Sequence, residues 1–256
     1  GDTLKVLDLD GALDQGQLTQ IASLKSIRFR LTPKTRYGAY HAPAAILTPD
    51  DLQFFGGKAA NFGLLRRVVP DFSPEALAFS FDLWDDFLDQ VLPGGTTLRA
   101  AVHVHLGGFT YPPDISALRM QLAAVRNLFT RTARFTAGQQ QAILRALAGF
   151  DPRRKIRFRS STNVEDSECF TGAGLYDSFS GCMADDLDEN ASGPCLCDPA
   201  EPNERGVFRA IAKVYASFYN DNAFLERLRL GLDEAQVGMG LLVHYSTPDP
   251  TELANG

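Results

Sequence analysis

The residues best suited to chemistry in this chain are cations placed near glycines. Arg153, Arg154, Lys155, Arg157 and Arg159 set five positive charges within seven positions. If Ile156–Ser160 is extended, alternation puts Arg157 and Arg159 on one face and Ile156 and Phe158 on the other. Two guanidinium groups on one face can fork onto phosphate oxygens, each charge-assisted bond contributing about 1.5–3 kcal/mol. The chain then runs into Thr171-Gly172-Ala173-Gly174, a loop of small residues able to expose backbone amides. An arginine strand opposite such a loop points to a nucleoside triphosphate. The competing reading is a solvated edge strand. Asn163, Glu165 and Asp166 can orient the arginines or water, and a plain turn explains them equally well.

A second constellation is "GGKAAN". Gly56 and Gly57 permit close approach of backbone to a ligand, and Lys58 falls in the first turn of a helix. Backbone N–H groups at a helix N-terminus favour an anion, and an adjacent ammonium adds a point charge for phosphate. The spacing is not that of a P-loop. Taken alone, Gly-Gly-Lys reads more readily as a turn with a solvated lysine.

The elements that must position these groups follow from periodicity. "KSIRFRL" alternates like a half-buried strand, and prolines make Leu31 to Asp50 loops and short strands. A helix opens at the Gly-Gly turn. Phe81, Trp84, Leu88 and Val91 predict a helix ended by Pro93-Gly94-Gly95. Ile115, Leu118, Leu122, Val125 and Phe129 predict another, and Ile143, Leu144 and Leu147 a third. Val207, Ile211, Val214 and Phe218 mark a helix expected to continue past Phe224. "VGMGLLVHYS" reads as a buried strand. The fold class is therefore mixed α/β, with helices and strands interleaved.

The stretches "GGKAANFGLL", "RFRSSTNVED", "TGAGLYDS", "VYASFYNDNAFLER" and "MGLLVHYS" occur in that order. Together they resemble the N-terminal nucleotide-binding domain of pyruvate phosphate dikinase and phosphoenolpyruvate synthase. That family is also represented by glucan water dikinases and rifampicin phosphotransferases. The resemblance begins at about Phe54 and implies an ATP-grasp-like domain over 51–256, its first lobe plus a hinge strand, behind an N-terminal extension over 1–50. It implies that Lys58 and Arg159 grip the nucleotide phosphates, with Gly56, Gly57 and Arg157 beside them. Gly172 and Gly174 fall in the loop that closes over the triphosphate. Val243, His244 and Tyr245 fall on the hinge strand whose backbone reads adenine, with histidine where the family usually has glutamine. ATP with magnesium is the implied cofactor. The metal-binding acids lie on a second grasp lobe and the phosphate-accepting histidine on a swivelling domain, both expected outside this chain. The implied activity is transfer of phosphate from ATP to that histidine and on to an acceptor such as pyruvate. The alternative is a nucleotide-binding, non-catalytic module of the same fold.

Composition bounds the rest. A net charge of −6 argues against a nucleic-acid partner, although Arg153–Lys155 is locally basic. No apolar run reaches the roughly 18 residues that cross a bilayer, and no signal peptide is visible. These features favour a cytoplasmic protein, although Gly1 leaves a processed start open. Between Cys182 and Glu204 there are seven acidic residues and no Lys or Arg, which predicts a solvated, mobile insertion. Cys169, Cys182, Cys195 and Cys197 lack zinc-site spacing, and read either as free thiols or as a bridge from Cys182 to Cys195 or Cys197. His103 and His105 share a face if extended, but without a third ligand no metal is expected.

Overall fold

A computed structural model describes residues 14–17, 20, 31–164, 174–188, 190 and 192–246. The chain divides into two compact units, Gly1–Arg30 and Leu31–Gly256. In the first, Asp14 and Gln17 bond each other reciprocally: the Asp14 N–H donates to Gln17 Oε1 and the Gln17 N–H to Asp14 Oδ1. Most of "KSIRFRL" lies outside the described residues.

The second unit is built on five strands: β1 (His41–Pro43), β2 (Leu77–Phe79), β3 (Ile156–Thr162), β4 (Ser178–Gly181) and β5 (Met239–Tyr245). They pair in the order β1-β2-β5-β3-β4, every neighbour antiparallel. The result is a mixed fold of helices around an antiparallel sheet. His41–Pro43 lies upstream of the boundary expected at residue 51, yet it is the outer strand of this sheet. In β3, Ile156 and Phe158 are fully buried while Arg157 and Arg159 are only half-buried, the alternation expected of a strand with two unlike faces. From Ser160 onward every residue of β3 is buried.

The helices are α1 (Leu52–Phe55), α2 (Gly57–Val68), α3 (Phe81–Leu88), α4 (Leu98–Leu106), α5 (Ile115–Asn127), α6 (Ala137–Ala146), α7 (Ala184–Leu187), α8 (Val207–Ser217) and α9 (Asp221–Arg229). The longer ones start on side-chain caps where the sequence supplies them. Ser80, Thr97, Asp114 and Thr136 each accept a first-turn N–H. Their apolar stripes meet around Trp84, whose ring lies 5.0 Å from those of Tyr215 and Phe218 and 5.8 Å from Phe129. Fully buried Arg227 sits beneath this cluster. Its guanidinium donates to both Glu234 carboxylate oxygens and covers the Phe218 ring at 3.7 Å, so the charge is compensated on two sides.

Several expectations are corrected. Val91 is exposed beyond the end of α3 and forms an isolated bridge with Thr97. Ile115 is likewise exposed. The helix through Val207 stops at Ser217, because Asn220 is extended and its side chain reaches across to Leu175 O and Asp177; α9 starts afresh behind it. "HVHLGG" is helical, in α4, so His103 and His105 point in different directions.

Candidate functional site

The Gly-Gly-Lys segment is fitted to the sheet from below. Gly56 has φ +83°, and a Cβ there would stand 2.6 Å from Ser161 Oγ and closer still to the Ser161 carbonyl. Only glycine lets the chain pass this close to β3 before α2 begins. Gly57 is the buried first residue of α2. The Ala59 N–H, one of the amides a helix start would offer an anion, donates instead to Ser161 Oγ at 2.9 Å. Lys58 Nζ donates to Ser160 O at 2.9 Å, across a sequence separation of 102. The lysine therefore reaches the strand one residue beyond Arg159.

Register on β3 and β5 fixes the remaining groups. Arg157 faces His244 on β5 and Ser180 on β4, while Arg159 faces Leu242 and Ser178. Directly opposed residues share a face, so both arginines and His244 lie on one side of the sheet. Arg157 Nη1 reaches Ser180 Oγ at 3.4 Å. Val243 and Tyr245 fall on the other side, opposite Phe158 and Ile156. Val243 is fully buried in the core, and the Tyr245 ring is pinned by Phe150, by the Asp151 N–H and by the Arg154 guanidinium. What these two can offer a ligand is backbone.

His244 is more specialised. Its ring stacks on Phe62 of α2 at 9° between planes, and its Nδ1 lies 2.7 Å from Tyr245 O. A carbonyl only accepts, so Nδ1 carries the hydrogen and Nε2 keeps its lone pair. Burial pushes the imidazole pKa down, and the Arg159 and Arg157 charges add to that against the bond to Tyr245 O. The side chain is thus a neutral acceptor.

Gly174 has φ +76° and open space around it, as a turn glycine does. Gly172 lies outside the described residues, as do Glu165, Asp166 and Cys169. Asn163 turns out to be a staple: its Nδ2 donates to Thr32 O and Gln236 O, and its Oδ1 accepts from the Gly238 N–H. Both of its amide hydrogens are spent on these carbonyls, and its oxygen is turned to Gly238. The face built around Lys58, Arg157, Arg159, the serine hydroxyls and His244 suits phosphate oxygens. Mg²⁺ prefers carboxylate oxygens, and none of the described residues just named carries one.

The cysteine-bearing stretch is more structured than its composition predicts. Cys182 and Cys197 form a disulfide, and Cys195 is a buried free thiol. The three sulfurs lie within 4.8 Å of one another, two of them joined covalently. Asp185 is buried and accepts the Leu196 and Arg205 N–H groups, closing the loop onto α7. Asp186 accepts the Val207 N–H at the start of α8, and burial pushes its carboxyl up to about 7 against that bond. A groove of about 1380 Å³ runs between this loop, β4 and α8; Arg157 lines it, Lys58 and Arg159 do not. Sequence reading missed Ser160, Ser161 and Phe62, which carry no chemical signal of their own. It also missed Arg205, Arg209 and Lys213, whose four-residue spacing was visible.

Among the described residues no helix is long and apolar enough to cross a membrane. Comparison with known proteins gives two findings. A rifampicin phosphotransferase of Streptomyces sviceus is 26% identical over 188 residues, which is 73% of this chain and 19% of that protein. The chain thus spans about a fifth of the length of this relative. Residues 52–246 match the family described as pyruvate phosphate dikinase, AMP/ATP-binding domain. That match takes in all of α1 to α9 and β2 to β5, and on it this chain belongs to the pyruvate phosphate dikinase AMP/ATP-binding domain family.

Proposed function

We propose that this chain is the phosphate-gripping lobe of a dikinase-type phosphotransferase, binding Mg-ATP on the β3 face. Lys58 and Arg159 hold the nucleotide phosphates, with Gly56 and Gly57 shaping the approach and Arg157 adding a third cation. The loop carrying Gly172 and Gly174 covers the triphosphate, and the backbone of Val243–Tyr245 reads the adenine. The observation that supports this reading is the bond from Lys58 Nζ to Ser160 O, which brings a lysine from the start of α2 to the strand position next to Arg159. Neither is a base. Their work is to position the phosphates and stabilise charge on them.

In this reading bound Mg²⁺ would supply neutralisation of phosphate charge, held by carboxylate ligands from a second grasp lobe. A swivelling domain then presents a histidine that takes the phosphoryl group and passes it to an acceptor such as pyruvate, a glycan or an antibiotic. Calorimetric titration with Mg-ATP tests the grip. Saturable binding is expected, weakened roughly tenfold or more in Arg159→Ala and in Lys58→Ala. Unchanged affinity in both variants would overturn the assignment.

A further inference from the structure

The groove beside edge strand β4 carries more positive charge than the fold and the β3 face use. Seven of its lining residues are cationic and three acidic, in a chain whose net charge is −6. Two of those acids are engaged within the wall: Asp198 pairs with Lys155, and Glu201 with Arg205. Arg153, Arg154, Arg209 and Lys213 make no ion pair among the described residues. Arg209 and Lys213 stand four apart on α8 with Arg205 one turn before, a spacing at which like charges oppose helix formation. Lys213 is half-buried, its Nζ 5.1 Å from the Phe179 ring centroid. Burial depresses its pKa, and the Arg209 and Arg205 charges depress it further. On the other wall, the Arg154 guanidinium sits over the Tyr245 ring, 3.7 Å from its centroid. Cations that outnumber the carboxylates beside them are what a multivalent anion neutralises.

We propose that this groove binds a multivalent phosphate anion, a di- or triphosphate chain, through Arg153, Arg154, Arg209 and Lys213, at a site separate from Lys58 and Arg159. The wall composition favours a compact anion over nucleic acid. Asp198, Glu201 and Glu204 interrupt any long basic track, and the Phe179 ring of the lining, already covered by Lys213, is not available to stack bases. The Cys182–Cys197 bridge holds the wall in place, since both cysteines line the groove.

The test is titration with inorganic tripolyphosphate at low ionic strength, where exposed charges are least screened. Saturable binding is expected in the unaltered chain. Each of two double variants, Arg209→Glu with Lys213→Glu and Arg153→Glu with Arg154→Glu, is expected to weaken it by roughly a hundredfold or more. Thermal unfolding of each variant checks that it is folded, and two pairs on different elements keep the test decisive if one pair unfolds. Arg159→Ala is expected to weaken only binding at the β3 face, leaving a saturable site that the groove variants remove. Displacement of tripolyphosphate by ATP would identify a nucleotide's phosphates as the natural source, and lack of displacement a free polyphosphate; both outcomes keep the groove as the site. An absence of saturable binding would overturn the proposal. So would a loss in Arg159→Ala as large as in the groove variants, which would put the anion on the β3 face instead.

Discussion

At the scale of single residues, Gly56 shows how a ligand-binding motif and a folding constraint coincide. Its positive φ and its contact with Ser161 both exclude a side chain. Gly56→Ala is expected to destabilise the protein by about 1–3 kcal/mol from the backbone conformation alone, with a further cost as β3 gives way. Chemical denaturation measures this, and a loss well under about 1 kcal/mol would show that the strand yields easily. His244 makes a different point. The sequence offered a histidine where the family usually has glutamine, but its chemical state depends on neighbours. Burial and two arginines keep it neutral, and the Tyr245 carbonyl decides which nitrogen holds the hydrogen. The arginine face was legible because alternation is a property of adjacent residues. The role of Asn163 was not, because its partners Thr32, Gln236 and Gly238 lie far away in sequence.

At the scale of elements, the junction between α7 and α8 makes a pH-dependent prediction. The Asp186 carboxyl is displaced from 3.8 to about 7, chiefly by burial and with repulsion from Asp185 and Glu204 added. In the unfolded chain it releases its proton near 3.8, whereas in the folded protein it holds it to about 7. The folded state therefore binds more protons in this window, and the contribution of Asp186 to stability falls as pH rises through it. Asp186→Asn removes that slope: the stability difference between variant and unaltered chain is expected to move in the variant's favour from pH 4 to about 7. Denaturant titrations at several pH values measure it, and a constant difference would contradict the burial argument. Helix boundaries illustrate what periodicity misses. The apolar stripe of α8 runs on towards Phe224, yet the helix breaks because Asn220 is drawn to the Leu175–Asp177 turn.

At the scale of the whole molecule, the Cys182–Cys197 bridge acts on the unfolded chain as well as on the groove. It closes a loop with a sequence separation of 15, and removing it is expected to cost about 3 kcal/mol through loop-closure entropy. Comparing denaturation of Cys197→Ser with that of the unaltered chain measures this, and an equal midpoint would mean that Asp185 and its two N–H partners hold the loop without the bridge. The acidic composition of 182–204 suggested a solvated insertion, because composition registers charge and not the backbone donors that Asp185 and Asp186 find.

Adjacent residues fix the two-faced β3, the helix opening at Gly57, the apolar stripes of α3, α5 and α8, and five ordered motifs that place the family. Which of these meet is settled by the fold. It set the strand order β1-β2-β5-β3-β4, brought Lys58 to Ser160, and joined Cys182 to Cys197 rather than to Cys195. It also gathered cations from β3 and α8 around one groove. The physical reason is that side-chain periodicity is imposed by local backbone geometry, whereas contacts between distant segments are selected by burying the apolar faces of the entire chain at once.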